Sequence, residues 1–554
     1  MNLTITYDGS KTVQTKAGAS LLDILELIPG RKYPTVAAIV NGELQELDYP
    51  LYINSEVRWL DSNSSMGWNI YRRSVIYLLL LAISESFPDY RLWVSHSLSE
   101  GCFCWAKNEE GQSLSAAEIV ALEKKMKSDV EENLAIERIS VSREDTVAFF
   151  ESEGKSDKAR LLMRRDQPYL SLYRARNFSE YLFGRMAIRA GLLSDFHLIP
   201  FEDGFILRLP VREYLGVQDK EVVAPRQLQA TLRDYSEWIN LLKVRTISDL
   251  NALVEAPGQD FSELVLIAET LQQRILHTVT DAIEHHFPEI KLILLAGPSS
   301  SGKTTTARRL CIQFRTLGIQ PVLISMDDYF LDQSLTPLNN QGKPDFEGMA
   351  AIDLQLFRSN LSDLLEGREA SLPAYDFKTG KGVRDHRRLK LDEDQILIVE
   401  GIHALNEKIS QGIPHNKKRK IFVSALTQLN FDASTPVSSS DGRLIRRIVR
   451  DSHSRSMSPI DTLINWDAVR RGEHCNIFPF QEQADFFINS ALLYELPVLR
   501  PLIEDKLSAI DAQEPSYLEA QRILRLIRYF SPASADLVPR DSVLQEFIGN
   551  SIFK

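Results

Sequence analysis

Lys291-Leu-Ile-Leu-Leu-Ala-Gly-Pro-Ser-Ser-Ser-Gly-Lys-Thr-Thr-Thr306 is the stretch that decides the reading of this chain. Within it, Gly297 to Thr304 satisfies the pattern G-x-x-x-x-G-K-[ST]. The apolar run Leu292 to Ala296 predicts a buried parallel strand. Ala307, Leu310, Cys311, Phe314 and Leu317 recur at helical spacing, and Gly318 stands where a helix C-cap belongs. Strand, glycine loop and helix in this order turn successive backbone N–H groups and the positive end of a helix toward one point. Such a loop is expected to bind the β- and γ-phosphates of a nucleotide. Lys303 adds a positive charge and Thr304 offers a hydroxyl to Mg²⁺. The candidate nucleotide-binding set is therefore Gly297, Pro298, Ser299, Ser300, Ser301, Gly302, Lys303, Thr304 and Thr305. A glycine turn that merely joins strand to helix is the bland alternative, and the complete pattern with both flanks in place weighs against it.

With 554 residues the chain is too long for one core and predicts several domains, and its 44% hydrophobic and 25% charged residues are those of an ordinary water-soluble protein. Sixty-four basic against 75 acidic residues leave a net charge of −11, so the overall field repels phosphate backbones and anions must be captured locally. Four scattered cysteines, Cys102, Cys104, Cys311 and Cys475, fit a reducing compartment. The start of the chain lacks a basic segment followed by an apolar one, and Tyr77 to Ile83 is too short for a membrane span. A cytoplasmic protein without a membrane partner is expected.

Residues 1–62 combine a strand pattern broken at Asp8-Gly9, a helical run from Ala19 to Ile28 and a second hairpin signal at Asn41-Gly42, which predicts a small β-grasp-like unit. Asp61 to Gly67 is small and polar and reads as a linker. Residues 63–225 predict an α+β domain, with helices over 70–86 and 115–132 and strands over 91–95 and 101–106. A helical connector over 226–285 leads to the nucleotide domain at 286–505. Residues 506–554 hold a last helix, Leu518 to Tyr529, and a tail expected to pack back on that domain, because Val543, Leu544, Phe547 and Ile548 are too apolar for a free end. The fold class is a multidomain α/β and α+β assembly around a P-loop, doubly wound parallel sheet.

Two further strands are expected in the nucleotide domain. Pro321 to Met326 leads into Asp327 and Asp328, and Ile396 to Glu400 places its carboxylate as a Walker B acid is placed. With both carboxylates beside the phosphates, one can help hold Mg²⁺ and the other can orient and deprotonate an attacking hydroxyl. Taken singly, Asp327 and Asp328 also fit a strand-ending turn, and Glu400 an N-cap. In Arg443-Leu-Ile-Arg-Arg-Ile-Val-Arg-Asp451, Leu444, Ile445, Ile448 and Val449 form one helical face and Arg443, Arg446, Arg447 and Arg450 the other. Such a stripe can close over a nucleotide and stabilise the transferring group. Its bland alternative is a solvated face paired with Asp441 and Asp451. Asn416-Lys-Lys-Arg419 lacks the aspartate of a guanine-reading motif.

These motifs together resemble the uridine kinase and phosphoribulokinase family over roughly 290 to 500: the P-loop, Met326-Asp-Asp-Tyr-Phe330, Asp345-Phe-Glu347, Pro373-Ala-Tyr-Asp-Phe377, Val399-Glu-Gly-Ile402 and the arginine segment. The resemblance implies an ATP- and Mg²⁺-dependent kinase acting on a small acceptor, expected to be the 5′-hydroxyl of a nucleoside. It implies Asp327 as the base, Lys303 and Arg450 as further catalytic residues, and Thr304, Glu400 and Asp327 around Mg²⁺. Glu347 falls where the family binds ribose hydroxyls, Tyr375 at an aromatic near the base, and Arg447, Arg450 and Arg455 at lid arginines that face nucleotide and substrate. Gly380 replaces the histidine with which such kinases read a pyrimidine, so the acceptor is open, a non-nucleoside sugar included.

The N-terminal half resembles other families. Residues 1–62 are similar to a TGS domain, and 63–225, including Ser95 to Cys104, to the second additional domain of threonyl-tRNA synthetase. Arg73 and Tyr77 stand where the synthetase's editing helix carries histidines, which argues against editing. His96, Cys102 and Cys104 read as a packed strand pair rather than as a zinc site. A rival class is a nucleotide-sensing RNA-binding protein, motivated by Arg164-Arg165 and Lys417 to Lys420, both of which more often read as solvated faces. A homo-oligomer is left open.

Overall fold

The structure is a computed structural model that describes residues 2–98, 101–217, 226–338, 342–377, 379–455 and 457–553. Ser99, Glu100 and Lys378 of the motifs quoted above, and the boundary expected at 225, lie outside the described residues.

Leu292–Ala296 forms the centre of a five-stranded, all-parallel sheet in the order Gln320–Ser325, Gln395–Glu400, Leu292–Ala296, Lys418–Ser424, Phe486–Asn489. Every residue of the central strand is buried, as a parallel strand covered on both faces requires. Leu292, Leu294 and Ala296 face one cluster with Phe357, Leu361 and Leu364 of the helix Leu354–Leu365. Ile293 and Leu295 face another with Ala307, Leu310 and Phe314 of the P-loop helix, Lys303–Thr316. The register sets Leu295 and Ser325 both beside Glu400, so the P-loop, Asp327 and Glu400 emerge together at the carboxyl edge, where such a sheet forms its ligand crevice.

The helices Arg226–Leu242, Ile247–Glu255 and Asp260–Glu284 share one core with the sheet domain and the tail: Tyr235, Ile239, Phe261 and Leu264 pack in the same cluster as Leu444, Ile448, Leu499 and Phe547. The last helix spans Tyr517–Ile527.

Residues 2–61 form a five-stranded sheet in which Asn2–Tyr7 runs parallel to Ser55–Asp61 and the other pairs are antiparallel, with one short helix, Leu21–Glu26. The linker expected at Asp61 to Gly67 is a tight junction instead. The Ser64 hydroxyl caps a helix that already begins at Ser65 and runs to Ser86, and a Cβ on Gly67 would meet the Asp61 carbonyl oxygen at 1.9 Å. Glycine is required there because the strand turns directly into the helix. That helix and Ala116–Glu131 cover a four-stranded antiparallel sheet that includes Arg91–Leu98 and Gly101–Lys107. Cys102 and Cys104 are buried on the second of these strands, and the His96 ring stacks on Phe103 at 5.6 Å.

The two halves are docked firmly. The Val94 N–H donates to the Ala433 carbonyl at 2.8 Å, and the Asn430 amide returns a bond to the Val94 carbonyl at 2.8 Å. The Phe183 ring lies tilted against Phe431 at 4.4 Å and meets Tyr529 edge to face at 5.2 Å. Beneath them lies Lys158, 2% exposed, whose ammonium contacts Asp432 at 3.0 Å and Glu180 as well. Burial pulls toward the neutral amine, but the two carboxylates more than offset it and hold Lys158 charged. Removing one member of a buried ionic group strands the others, a loss of about 3 kcal/mol. Lys158→Met should therefore lower the melting temperature by several degrees; a melting temperature unchanged to within about one degree would show that this junction carries no stability.

Candidate active site

The phosphate loop is shaped by close approach. A Cβ on Gly297 would lie 1.9 Å from the Val423 carbonyl oxygen, so only glycine lets the loop leave the strand here. Ser300 at φ 58° and Gly302 at φ 79° take left-handed conformations on either side of Ser301, which curls the backbone into a nest. The outer carbonyls are held from behind: Arg443 donates to the Ser299 carbonyl at 3.1 Å, Arg446 to that of Ser300 at 3.5 Å, and the Ser490 hydroxyl to that of Ser301. Because a peptide unit is planar, a carbonyl fixed on one side aims the N–H of the next residue to the other. Among the described residues, the N–H groups of Ser300, Gly302, Lys303 and Thr304 donate to no acceptor. This row of unpartnered donors, with the Lys303 ammonium folded back on the Pro298 carbonyl at 3.2 Å, fits a polyphosphate.

Glu400 sits beneath the loop, buried. It accepts from the Ser325 hydroxyl at 3.1 Å and from the Thr304 hydroxyl at 3.4 Å. Burial, followed by the charge of Asp327, pushes it up to about 7 against the pull of Lys303. Asp327 lies in the short 3₁₀ turn Met326–Tyr329, its N–H held by the Ser325 hydroxyl at 3.3 Å. Burial raises its pKa, while Lys303, Arg455 and Arg450 pull it down. Thr304 and Glu400 offer a hydroxyl and a carboxylate at one spot, which fits Mg²⁺, an ion held by one or two protein oxygens together with phosphates.

The single cationic stripe expected on the arginine helix, Ser439–Ser454, divides in two. Leu444, Ile445, Ile448 and Val449 are buried, but so are Arg443 and Arg446, at 4% and 0% exposure. Arg443 pairs bidentately with Glu473 at 2.5 and 2.8 Å, and Arg446 with Glu495. These two build the loop. Arg447, Arg450 and Arg455 instead converge on the buried Asp451, at 3.3, 2.8 and 3.9 Å, and Arg447 also reaches the Ser299 hydroxyl at 2.6 Å. The solvated face paired with Asp441 is not found, since Asp441 pairs with Arg522 at 2.7 Å.

On the acceptor side, Glu347 packs against Gly472 of the helix Pro459–Asn476, where a Cβ would come within 2.4 Å of the Glu347 Cβ. Burial drives Glu347 up to about 7, and Arg447 opposes this. Tyr375 lies in an aromatic cluster 5.6 Å from Phe330, 6.4 Å from Phe346 and 5.0 Å from Phe377, and the Arg455 guanidinium lies 5.9 Å from the Phe377 ring. Gly380 has φ 68°, and a Cβ there would stand 2.5 Å from the Gln333 side-chain oxygen.

Sequence reasoning missed Glu473, whose carboxylate also accepts the Ser299 N–H at 3.0 Å. Its signal was an acid in line with Thr462, Trp466 and Val469, the buried stripe of its helix. It also missed Glu546, which accepts both the N–H and the hydroxyl of Thr305 from an otherwise apolar tail. Side chains from both basic clusters behind the RNA-binding alternative are engaged within the protein, while Lys417 is exposed. Arg164 pairs with Glu255 and Arg165 lies over Tyr529, while Lys418 and Lys420 are buried on Glu407.

The Phosphoribulokinase / Uridine kinase family model matches residues 292–492. A uridine kinase of Streptococcus agalactiae serotype III is 30% identical over 199 residues, which cover 36% of this chain and 85% of that one. The chain belongs to the phosphoribulokinase and uridine kinase family. A uridine kinase of Halalkalibacterium halodurans is likewise 30% identical over 222 residues, covering 39% of this chain and 96% of its own. Uridine-cytidine kinase C of Dictyostelium discoideum is 31% identical over 171 residues, and this chain spans 32% of its length. In this family member the P-loop, Asp327, Glu347, Tyr375, Glu400, the arginines and Glu473 all fall inside the matched span, whereas Glu495 and Glu546 fall outside it. No described helix is long and apolar enough to cross a membrane.

The raised acids have a consequence for stability. Glu400 holds its proton up to about 7 in the fold but releases it near 4.5 when unfolded, so between these values the unfolded chain binds fewer protons and stability falls as pH rises. Glu400→Gln removes that loss. Without Mg²⁺ and nucleotide, its gain in melting temperature over the parent should be larger at about pH 8 than at about pH 5. An equal difference at both pH values would contradict the raised carboxyl.

Proposed function

We propose that the chain is an ATP-dependent kinase that transfers the γ-phosphate to a hydroxyl of a small acceptor, the 5′-hydroxyl of a nucleoside in the first place. The observation that carries this reading is Asp327, placed in the crevice with Lys303, Arg450 and Arg455 as its charged neighbours, at the edge where the P-loop opens.

In this reading the free N–H groups of the loop and Lys303 hold the β- and γ-phosphates in line with the acceptor. Thr304 and Glu400, with Asp327 beside them, would hold Mg²⁺, which neutralises charge on the phosphate oxygens when bound. The acceptor lies toward Glu347 and the aromatic cluster around Tyr375. Its hydroxyl oxygen forms the new bond to phosphorus as its proton passes to Asp327, and the bond to the bridging oxygen breaks with the electron pair leaving on ADP. Arg447, Arg450 and Arg455, gathered by Asp451, stabilise charge on the group in transit. Residues 1–62 and 63–225, read as TGS-like and synthetase-like units of a cytoplasmic enzyme, serve as a docked scaffold.

An ADP-release assay across nucleosides and small sugars should find turnover that depends on acceptor and Mg²⁺, highest with a nucleoside; no acceptor-dependent turnover would remove the proposal. Asp327→Asn should lower kcat by about 10²–10⁴-fold while ATP affinity stays within about threefold. An asparagine variant with full activity would exclude Asp327 as the base.

A further inference from the structure

The P-loop helix already carries an anion. Thr305, in the first turn of the helix Lys303–Thr316, gives both its N–H, at 3.0 Å, and its hydroxyl, at 2.8 Å, to one oxygen of Glu546. In a phosphate loop the donors run in order along the bound chain, the loop amides toward the outer phosphates and the first helical turn toward the innermost. A carboxylate and a phosphate are both anionic acceptors, and one donor pair serves one of them at a time.

We propose that the C-terminal tail is an autoinhibitory strap: Glu546 occupies the α-phosphate position on the P-loop helix, and a nucleotide seats fully only after displacing that side chain.

The strap is built into the fold. Val543, Leu544 and Phe547 are 2%, 0% and 1% exposed, so the backbone of the tail is fixed in the core. A Cβ on Gly302 would meet a Val543 methyl at 2.4 Å, so the tail lies directly on the loop. The Ser542 hydroxyl lies 3.1 Å from that of Tyr494, and the Gln545 amide donates to the Val538 carbonyl at 2.9 Å. Phe547 lies 5.0 Å from the guanidinium of Arg446, the same group that holds the Ser300 carbonyl. Glu546 itself is only half-buried. Its side chain can therefore swing to solvent while the tail stays in place, and displacement needs a rotamer change rather than unfolding.

This inference rests on the nucleotide reading above. Calorimetric titration of the full chain and of Glu546→Gln and Glu546→Ala with Mg-ADP and Mg-ATP tests both. Removing the carboxylate should tighten both nucleotides roughly three- to tenfold, the range that one charge at a helix N-terminus is worth, with the glutamine variant keeping the parent's melting temperature. Unchanged or weaker affinity in both variants overturns the strap and makes Glu546 a plain helix cap or a ligand-holding residue. Heat from none of the three proteins overturns the nucleotide reading itself, and the strap with it.

Discussion

Two buried guanidinium groups hold the phosphate loop in shape, and the rest of the site depends on them. Arg443 and Arg446 reach the carbonyls of Ser299 and Ser300 from behind the loop, and each is neutralised by a buried carboxylate, Glu473 or Glu495. Moving such charges out of water is costly, and the cost is met only when the opposite charge and further acceptors are already in place. The loop, the arginine helix, the helix of Glu473 and the helix of Glu495 must therefore assemble together. Loss of any one partner leaves an uncompensated charge in the core. Arginine suits this task because its planar fork bonds a carboxylate bidentately while a remaining N–H serves a backbone carbonyl.

The crevice in front of the loop is acidic as well as basic. Asp327, Glu347, Glu400 and Glu546 share it with Lys303, Arg447, Arg450 and Arg455. Burial, helped by the charge of neighbouring carboxylates, raises Glu347 and Glu400 to about 7, so each is only partly ionised near neutrality, which limits the negative charge an incoming phosphate would meet. A chain with a net charge of −11 can thus concentrate positive potential at one point without a basic surface. Asp451 does the complementary work on the cations. By gathering three guanidinium groups on one buried carboxylate, it holds like charges close together beside the crevice.

The N-terminal half is joined to this machinery through the strands Asn430–Asp432 and Thr435–Pro436, which precede the arginine helix in the chain. Val94, Lys158 and Phe183 all grip this short hairpin. It leads directly into the arginine helix, and it is held by hydrogen bonds, a buried ion pair and packed rings at once.

The sequence by itself determined the central strand, the loop and the helix after it, because apolar periodicity and glycine spacing are local properties that no distant contact overrides here. Asp327 and Glu400 were legible for the same reason, since residues at the ends of buried parallel strands share one edge. Helical phase also identified the apolar face of the arginine helix. Phase could not sort its arginines, because which of them is buried depends on Glu473 and Glu495, 30 and 49 residues away in the chain. Asp61 to Gly67 read as a linker because small polar residues serve both linkers and helix caps, and only the close approach of the Asp61 carbonyl to Gly67 distinguishes them. Tertiary structure alone decided that Glu546 lies on Thr305, a pairing across 241 residues. An acid in an apolar tail declares that it is buried or paired, but its partner is chosen by the packing of Val543 and Phe547 against the loop.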